Sequence, residues 1–89
     1  MDIYVIKWTS EFCGDENGSG VSKKAFKSEE ECREYRKEVL DKKKISWLAD
    51  GIVDDEDEVE IDYERGTMHD CGHSNCFYAA IKKLELDLD

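Results

Sequence analysis

Ile3-Tyr4-Val5-Ile6-Lys7-Trp8-Thr9 is a run of β-branched and aromatic residues with apolar side chains at both parities. A strand that meets water on one face alternates apolar and polar residues. A run apolar on both sides reads instead as a strand buried on two faces, and so as a central one. The segment after it, Cys13-Gly14-Asp15-Glu16-Asn17-Gly18-Ser19-Gly20, is rich in residues that tolerate positive φ, which predicts a long hairpin loop. Val21 to Phe26 then returns as a second strand.

Ser28 opens a helix. With Glu31 it makes the S-x-x-E pattern of a capping box, in which each side chain satisfies a backbone N–H left unpaired at the helix start. Glu29 and Glu30 fall in the first turn and Lys42, Lys43 and Lys44 in the last, both complementing the helix dipole. Cys32, Tyr35, Val39 and Leu40 lie at i, i+3, i+7 and i+8 and form one apolar stripe. The spacing predicts a helix over 29–43.

The segment 45–53 mixes Ile45, Trp47, Leu48, Ile52 and Val53 with Asp50-Gly51, which fits a short helical turn or an irregular packed stretch. Asp54-Asp55-Glu56-Asp57 follows. From Glu58 the sequence alternates: Val59, Ile61 and Tyr63 face one way, and Glu58, Glu60, Asp62 and Glu64 the other. This predicts a half-buried strand with an acidic outer face. Residues 66–76 read as a loop and Phe77 to Leu86 as the last strand, with a bulge near Lys82-Lys83 bringing Phe77, Ala79 and Ile81 onto the face of Leu84, Leu86 and Leu88. The expected fold class is α+β: one domain over 1–89, a small antiparallel sheet in the order β-β-α-β-β, with one main helix packed on one face.

The chain has 89 residues, no proline and a net charge of −10. Residues 1–44 carry ten acids and ten bases; residues 45–89 carry thirteen acids and three bases, so the whole excess lies in the second half. Such a distribution repels nucleic acid and favours basic partners. No segment approaches the ~18–20 apolar residues of a membrane span. The start, Met1-Asp2-Ile3-Tyr4, shows no signal peptide, so a cytoplasmic protein with reduced cysteines is expected.

Three constellations bear on chemistry. Along a strand, outward side chains repeat every ~6.6 Å, while DNA presents a phosphate every ~3.4 Å of axis on each strand. The face Glu58, Glu60, Asp62 and Glu64, extended by Asp54, Asp55, Glu56 and Asp57, approaches that charge density, so a groove that accepts DNA would accept it. An acidic face of this kind also serves solubility alone. The run contains no glycine at the sixth position of a calcium loop, which excludes an EF-hand. His69, Cys71, His73 and Cys76 are four zinc-type donors within eight residues, with Cys13 available from the first hairpin. Their spacing is not the paired C-x-x-C kind, so zinc is the alternative expectation and no cofactor the leading one. Nothing marks an activated cysteine or an oxyanion hole, and a chain this short has little room for a substrate cleft, so a non-enzymatic binding protein is expected.

Asp2-Ile3-Tyr4-Val5-Ile6, the Gly/Asp-rich hairpin, Ser28-Glu29-Glu30-Glu31 and the closing Ile81-Lys82-Lys83-Leu84-Glu85-Leu86-Asp87 together resemble the layout of small acidic bacteriophage accessory and host-takeover proteins of the DNA-mimic type. The resemblance covers most of the chain as a pattern and carries over no functional residue. It implies an inhibitor in the host-cell cytoplasm that occupies the DNA-binding surface of a basic host protein such as the histone-like nucleoid protein HU; an exposed edge strand able to pair across a two-fold axis leaves monomer and homodimer both open. It implies no contact with nucleic acid or membrane. The His/Cys loop lies outside the pattern, and the alternative to an inhibitor is a zinc-stabilised interaction module working through that loop.

Overall fold

The computed structural model describes residues 1–13, 15–70 and 75–85. The chain runs β1 (Asp2–Phe12), β2 (Asp15–Val21), α1 (Glu29–Ala49), a short 3-10 turn (Glu56–Glu58), β3 (Val59–Asp62), β4 (Thr67–Asp70) and β5 (Cys76–Glu85). The strands form one antiparallel sheet in the order β2-β1-β5-β4-β3. The expected order β-β-α-β-β is therefore overturned: the chain is β-β-α-β-β-β. The additional strand is β4, inside the segment expected to be a loop. Its four residues are too few to show a period, and one of its two inward side chains is a carboxylate, Asp70.

Glycine explains why residues 15–21 form a strand where a loop is expected. The stretch expected to loop is β2, and its Gly20 lies against the Trp8 indole so closely that a Cβ there would sit 2.9 Å from the ring. The glycines make room for a tryptophan rather than a turn. Beyond β2 the chain still follows β1: Ser22 N–H donates to the Ile6 carbonyl at 2.8 Å, and Tyr4 and Phe26 exchange backbone hydrogen bonds at 2.7 and 2.9 Å. β1 is an interior strand, as its sequence requires.

Helix α1 continues to Ala49, six residues past the expected end. It stops in a Schellman arrangement: Gly51 has φ +73° and donates to the Leu48 carbonyl, while Ile52 N–H donates to that of Trp47. Lys42, Lys43 and Lys44 are thus mid-helix residues and not dipole caps. At the other end Ser28 is the N-cap residue, yet its side chain makes no capping bond, so the expected capping box is not formed. The extra turns bring in Trp47, which is 1% exposed.

The core lies between helix and sheet. Cys32, Leu40 and Trp47 of α1 meet Ile6, Phe77, Ala79, Met68 and Val59, with Val53 closing one end. The pairing of β1 with β5 is continuous from Asp2↔Glu85 to Glu11↔Cys76, so β5 has no bulge there and Leu84 falls on the face away from the helix, 45% exposed. The register shift lies elsewhere, between Ser10 and Glu11 against β2.

Two glycines share φ +73° but not their surroundings. A Cβ on Gly66 would lie 2.2 Å from the Ala79 carbonyl oxygen, whereas one on Gly51 would meet nothing within 4 Å. Gly51→Ala should cost only the left-handed penalty of about 1–2 kcal/mol. Gly66→Ala adds a backbone clash and should cost about 2 kcal/mol more. Urea denaturation of the two variants checks this; equal losses would contradict the clash.

Candidate functional site

The eight acids of 54–64 lie along one edge of the molecule, because β3 is the outermost strand of its side of the sheet. Val59 and Ile61 turn towards the helix and join the core. Glu60 and Asp62 occupy the opposite parity, cross-strand from His69 and Thr67. Asp54, Asp55, Glu56 and Asp57 are exposed and Glu58 is half-buried at the end of the 3-10 turn. The expected alternation holds only from Val59 to Asp62. Beyond it the chain turns through 63–66, so Tyr63 is not an inward strand residue: it is 41% exposed. Glu58 and Glu64 flank the strand and are not part of it.

The acids divide by what they do locally. Asp62 Oδ1 accepts from the backbone N–H groups of Glu64 and Arg65, each at 3.1 Å, and Oδ2 lies 3.7 Å from Arg65 Nε. Asp62 therefore builds the turn that follows it. Glu60 Oε2 sits 3.1 Å from His69 Nε2. Asp55 accepts from the Asp57 N–H at 3.1 Å and caps the 3-10 turn, as a short carboxylate at an N-cap does. Of the eight, six have no cationic partner among the described residues: Asp54, Asp55, Glu56, Asp57, Glu58 and Glu64.

Arg36 fixes this edge to the helix. It falls between Cys32 and Leu40 at i+4 and i−4, inside the apolar stripe, and is 7% exposed. Its Nη2 donates to the carbonyls of Glu64 at 2.7 Å and Tyr63 at 3.2 Å. Burial, helped by nearby Arg33, pulls its guanidinium below the ordinary arginine value. A second tie runs from the Tyr63 hydroxyl to Asp41 Oδ1 at 2.6 Å. A cleft of about 480 Å³ lies between α1 and the turn, lined by three acids, three bases and Tyr63. Arg36 was visible in the sequence only as a charged residue at a core position of the helix, since its partners are backbone oxygens with no sequence signature.

The His/Cys constellation is partly brought together. His69 and Cys76 are register partners on adjacent strands, facing away from the helix. Cys76, two residues away on the same strand face, raises the Tyr78 phenol above its ordinary value. Asn75 Oδ1 accepts the Cys13 N–H at 3.2 Å, which ties the first hairpin to the start of β5. Cys71 and His73 lie outside the described residues. Among the described residues no three His, Cys, Asp or Glu side chains are grouped as metal ligands. Cys32 is buried, and burial raises its thiol pKa.

No protein-family model, curated protein or solved structure matches the chain. Among the described residues no helix is long and apolar enough to cross a membrane.

The Tyr63–Asp41 bond has a pH signature. It raises the Tyr63 phenol above 10.0, because ionisation would place a phenolate beside a carboxylate. The folded value is the higher one, so the bond's contribution to stability is complete below the unfolded phenol pKa and is lost as pH rises through the folded one. In a difference titration of the chain against Tyr63→Phe, absorbance at the phenolate band should rise above pH 10, and the variant should lose the alkaline step. A Tyr63 step at or below pH 10 would contradict the bond.

Proposed function

We propose that the chain is an acidic inhibitor of the DNA-mimic kind, which occupies the DNA-binding surface of a basic protein in the cytoplasm. The observation that carries this reading is the edge of β3. Eight carboxylates follow one another along an exposed border, and six of them lack any cationic partner among the described residues. An acid that serves only local structure is paired or capping; unpaired neighbours repel one another, and a run of them is held together at an electrostatic cost that a basic surface would offset. The histone-like nucleoid protein HU is the first target to try, on the ground that its class of surface is cationic and shaped for a phosphate backbone. The acids to carry binding are Asp54, Asp55, Glu56, Asp57, Glu58, Glu60, Asp62 and Glu64.

The division among these acids selects the variants. Reversing Asp62 would unmake the turn it caps, so a loss of binding there would not separate charge from fold. Asp54, Glu56 and Glu64 make no side-chain hydrogen bond, so neutralising them leaves the framework in place. The triple change Asp54→Asn, Glu56→Gln, Glu64→Gln should leave thermal stability within about 0.5 kcal/mol. It should weaken binding to HU, measured in competition with duplex DNA, by roughly tenfold at low salt. Binding by the unchanged chain should itself fall steeply as ionic strength rises, because the Debye length shrinks from ~30 Å at 0.01 M to ~10 Å at 0.1 M. A flat salt response, or a triple variant that competes as well as the parent, would overturn the mimic.

A second reading, a zinc-stabilised interaction module, is favoured by one observation: His69 and Cys76 stand cross-strand, and Asn75 ties Cys13 to the same end of β5. Native mass spectrometry after dialysis against zinc separates the readings. One bound zinc lost on chelation supports the module; a metal-free mass retires it.

A further inference from the structure

We propose a second binding site, independent of the acidic edge: a groove between α1 and β1 that takes an acidic peptide carrying a large apolar side chain. The groove has a volume of about 290 Å³ and is lined by Trp8, Phe77, Val39, Ser46, Lys42 and Lys43. Its floor is aromatic, with Trp8 and Phe77 stacked at 6.1 Å. It stays open because the neighbouring strand places Gly18 and Gly20 opposite Ser10 and Trp8, and so contributes no side chain to cover the indole.

The lip is cationic. On the same helix Arg33 pairs with Glu29 at 3.0 Å and Lys37 with Glu34 at 3.5 Å, each one turn away. Lys42 and Lys43 have no carboxylate partner among the described residues; Lys43 Nζ instead lies 5.2 Å above the Phe77 ring. Nor do these lysines serve the helix dipole, because α1 runs on to Ala49. A chain with net charge −10 thus keeps two lysines without carboxylate partners among the described residues beside its open aromatic groove. An apolar side chain fills the floor and carboxylates meet the lysines, which is helix-flank recognition of an acidic motif with an apolar anchor. Nucleic acid also stacks on aromatics and meets lysines, but the net charge repels a polyanion much longer than the groove.

The test uses the full chain and the peptide acetyl-DFDLDE-amide, titrated by calorimetry at low salt. Lys42→Glu with Lys43→Glu should weaken binding by about tenfold, each lost surface pair contributing modestly. Lys42→Arg with Lys43→Arg should keep affinity within about threefold, since the charge is retained. Circular dichroism identical to the parent verifies that the charge-reversed variant folds. The triple variant Asp54→Asn, Glu56→Gln, Glu64→Gln should bind this peptide undiminished, so failure of the acidic-edge reading leaves this one standing. The site is overturned if the peptide does not bind, if a serine-for-aspartate peptide binds equally, if the charge-reversed protein binds equally, or if single-stranded oligothymidylate binds more tightly than the peptide.

Discussion

One helix must cover five strands, and it is too narrow to do so. An α-helix with its side chains is about 10–12 Å across. Five strands spaced ~4.8 Å apart make a sheet roughly twice that width. The helix therefore seals a central band, where Ile6, Phe77, Ala79 and Met68 meet Cys32, Leu40 and Trp47, and reaches the borders only in part, with Val59 of β3 still joining the core. What each border carries follows from this. On one side β2 turns glycines to the helix face, so no apolar side chain is left there to bury. On the other, β3 is four residues long, and the segments at its two ends carry charge. A short, charged edge strand also resists pairing with another copy.

The acidic border is held by a buried cation, a glycine and one of its own acids. Arg36 reaches out of the apolar stripe to two carbonyls of the turn, and Gly66 supplies the positive φ that swings the chain into β4. A guanidinium placed inside a core is costly unless its donors are used. Here Nη2 is used twice, while Nε has no partner. Asp62 completes the arrangement with two backbone N–H groups. The turn thus rests on one buried cation and one capping carboxylate; Asp55 caps the 3-10 turn and Glu60 meets His69, while Asp54, Glu56 and Glu64 make no side-chain hydrogen bond among the described residues.

The parts legible in the sequence were those with an unambiguous period. The two-sided apolar run of β1, the stripe of α1 and the alternation from Val59 to Asp62 each declared their element and their buried face. The parts that were not legible depended on contacts distant in the chain. Glycines at 18 and 20 look like a loop until Trp8 is placed over them. Lys42, Lys43 and Lys44 look like the end of a helix, although Asp50-Gly51 followed by an apolar Ile52 is the stronger stop signal. Strand β4 was invisible because its length is below one recognisable period and Asp70 breaks the apolar parity. In the candidate site, composition located the acidic segment. It could not distinguish Asp62, which builds a turn, from Asp54, which makes no side-chain hydrogen bond, because both are the same residue type in the same run.

The two borders differ in sign as well as in cover. Lysines without carboxylate partners flank the groove over β1, and unpaired carboxylates follow β3 at the far side of the sheet. Across a molecule with extents of 50 × 23 × 19 Å this separation makes a permanent electric dipole superimposed on the net charge. In the field of a cationic surface such a body feels a torque as well as an attraction. It rotates during approach, so that the β3 edge arrives first and fewer encounters are spent in the wrong orientation.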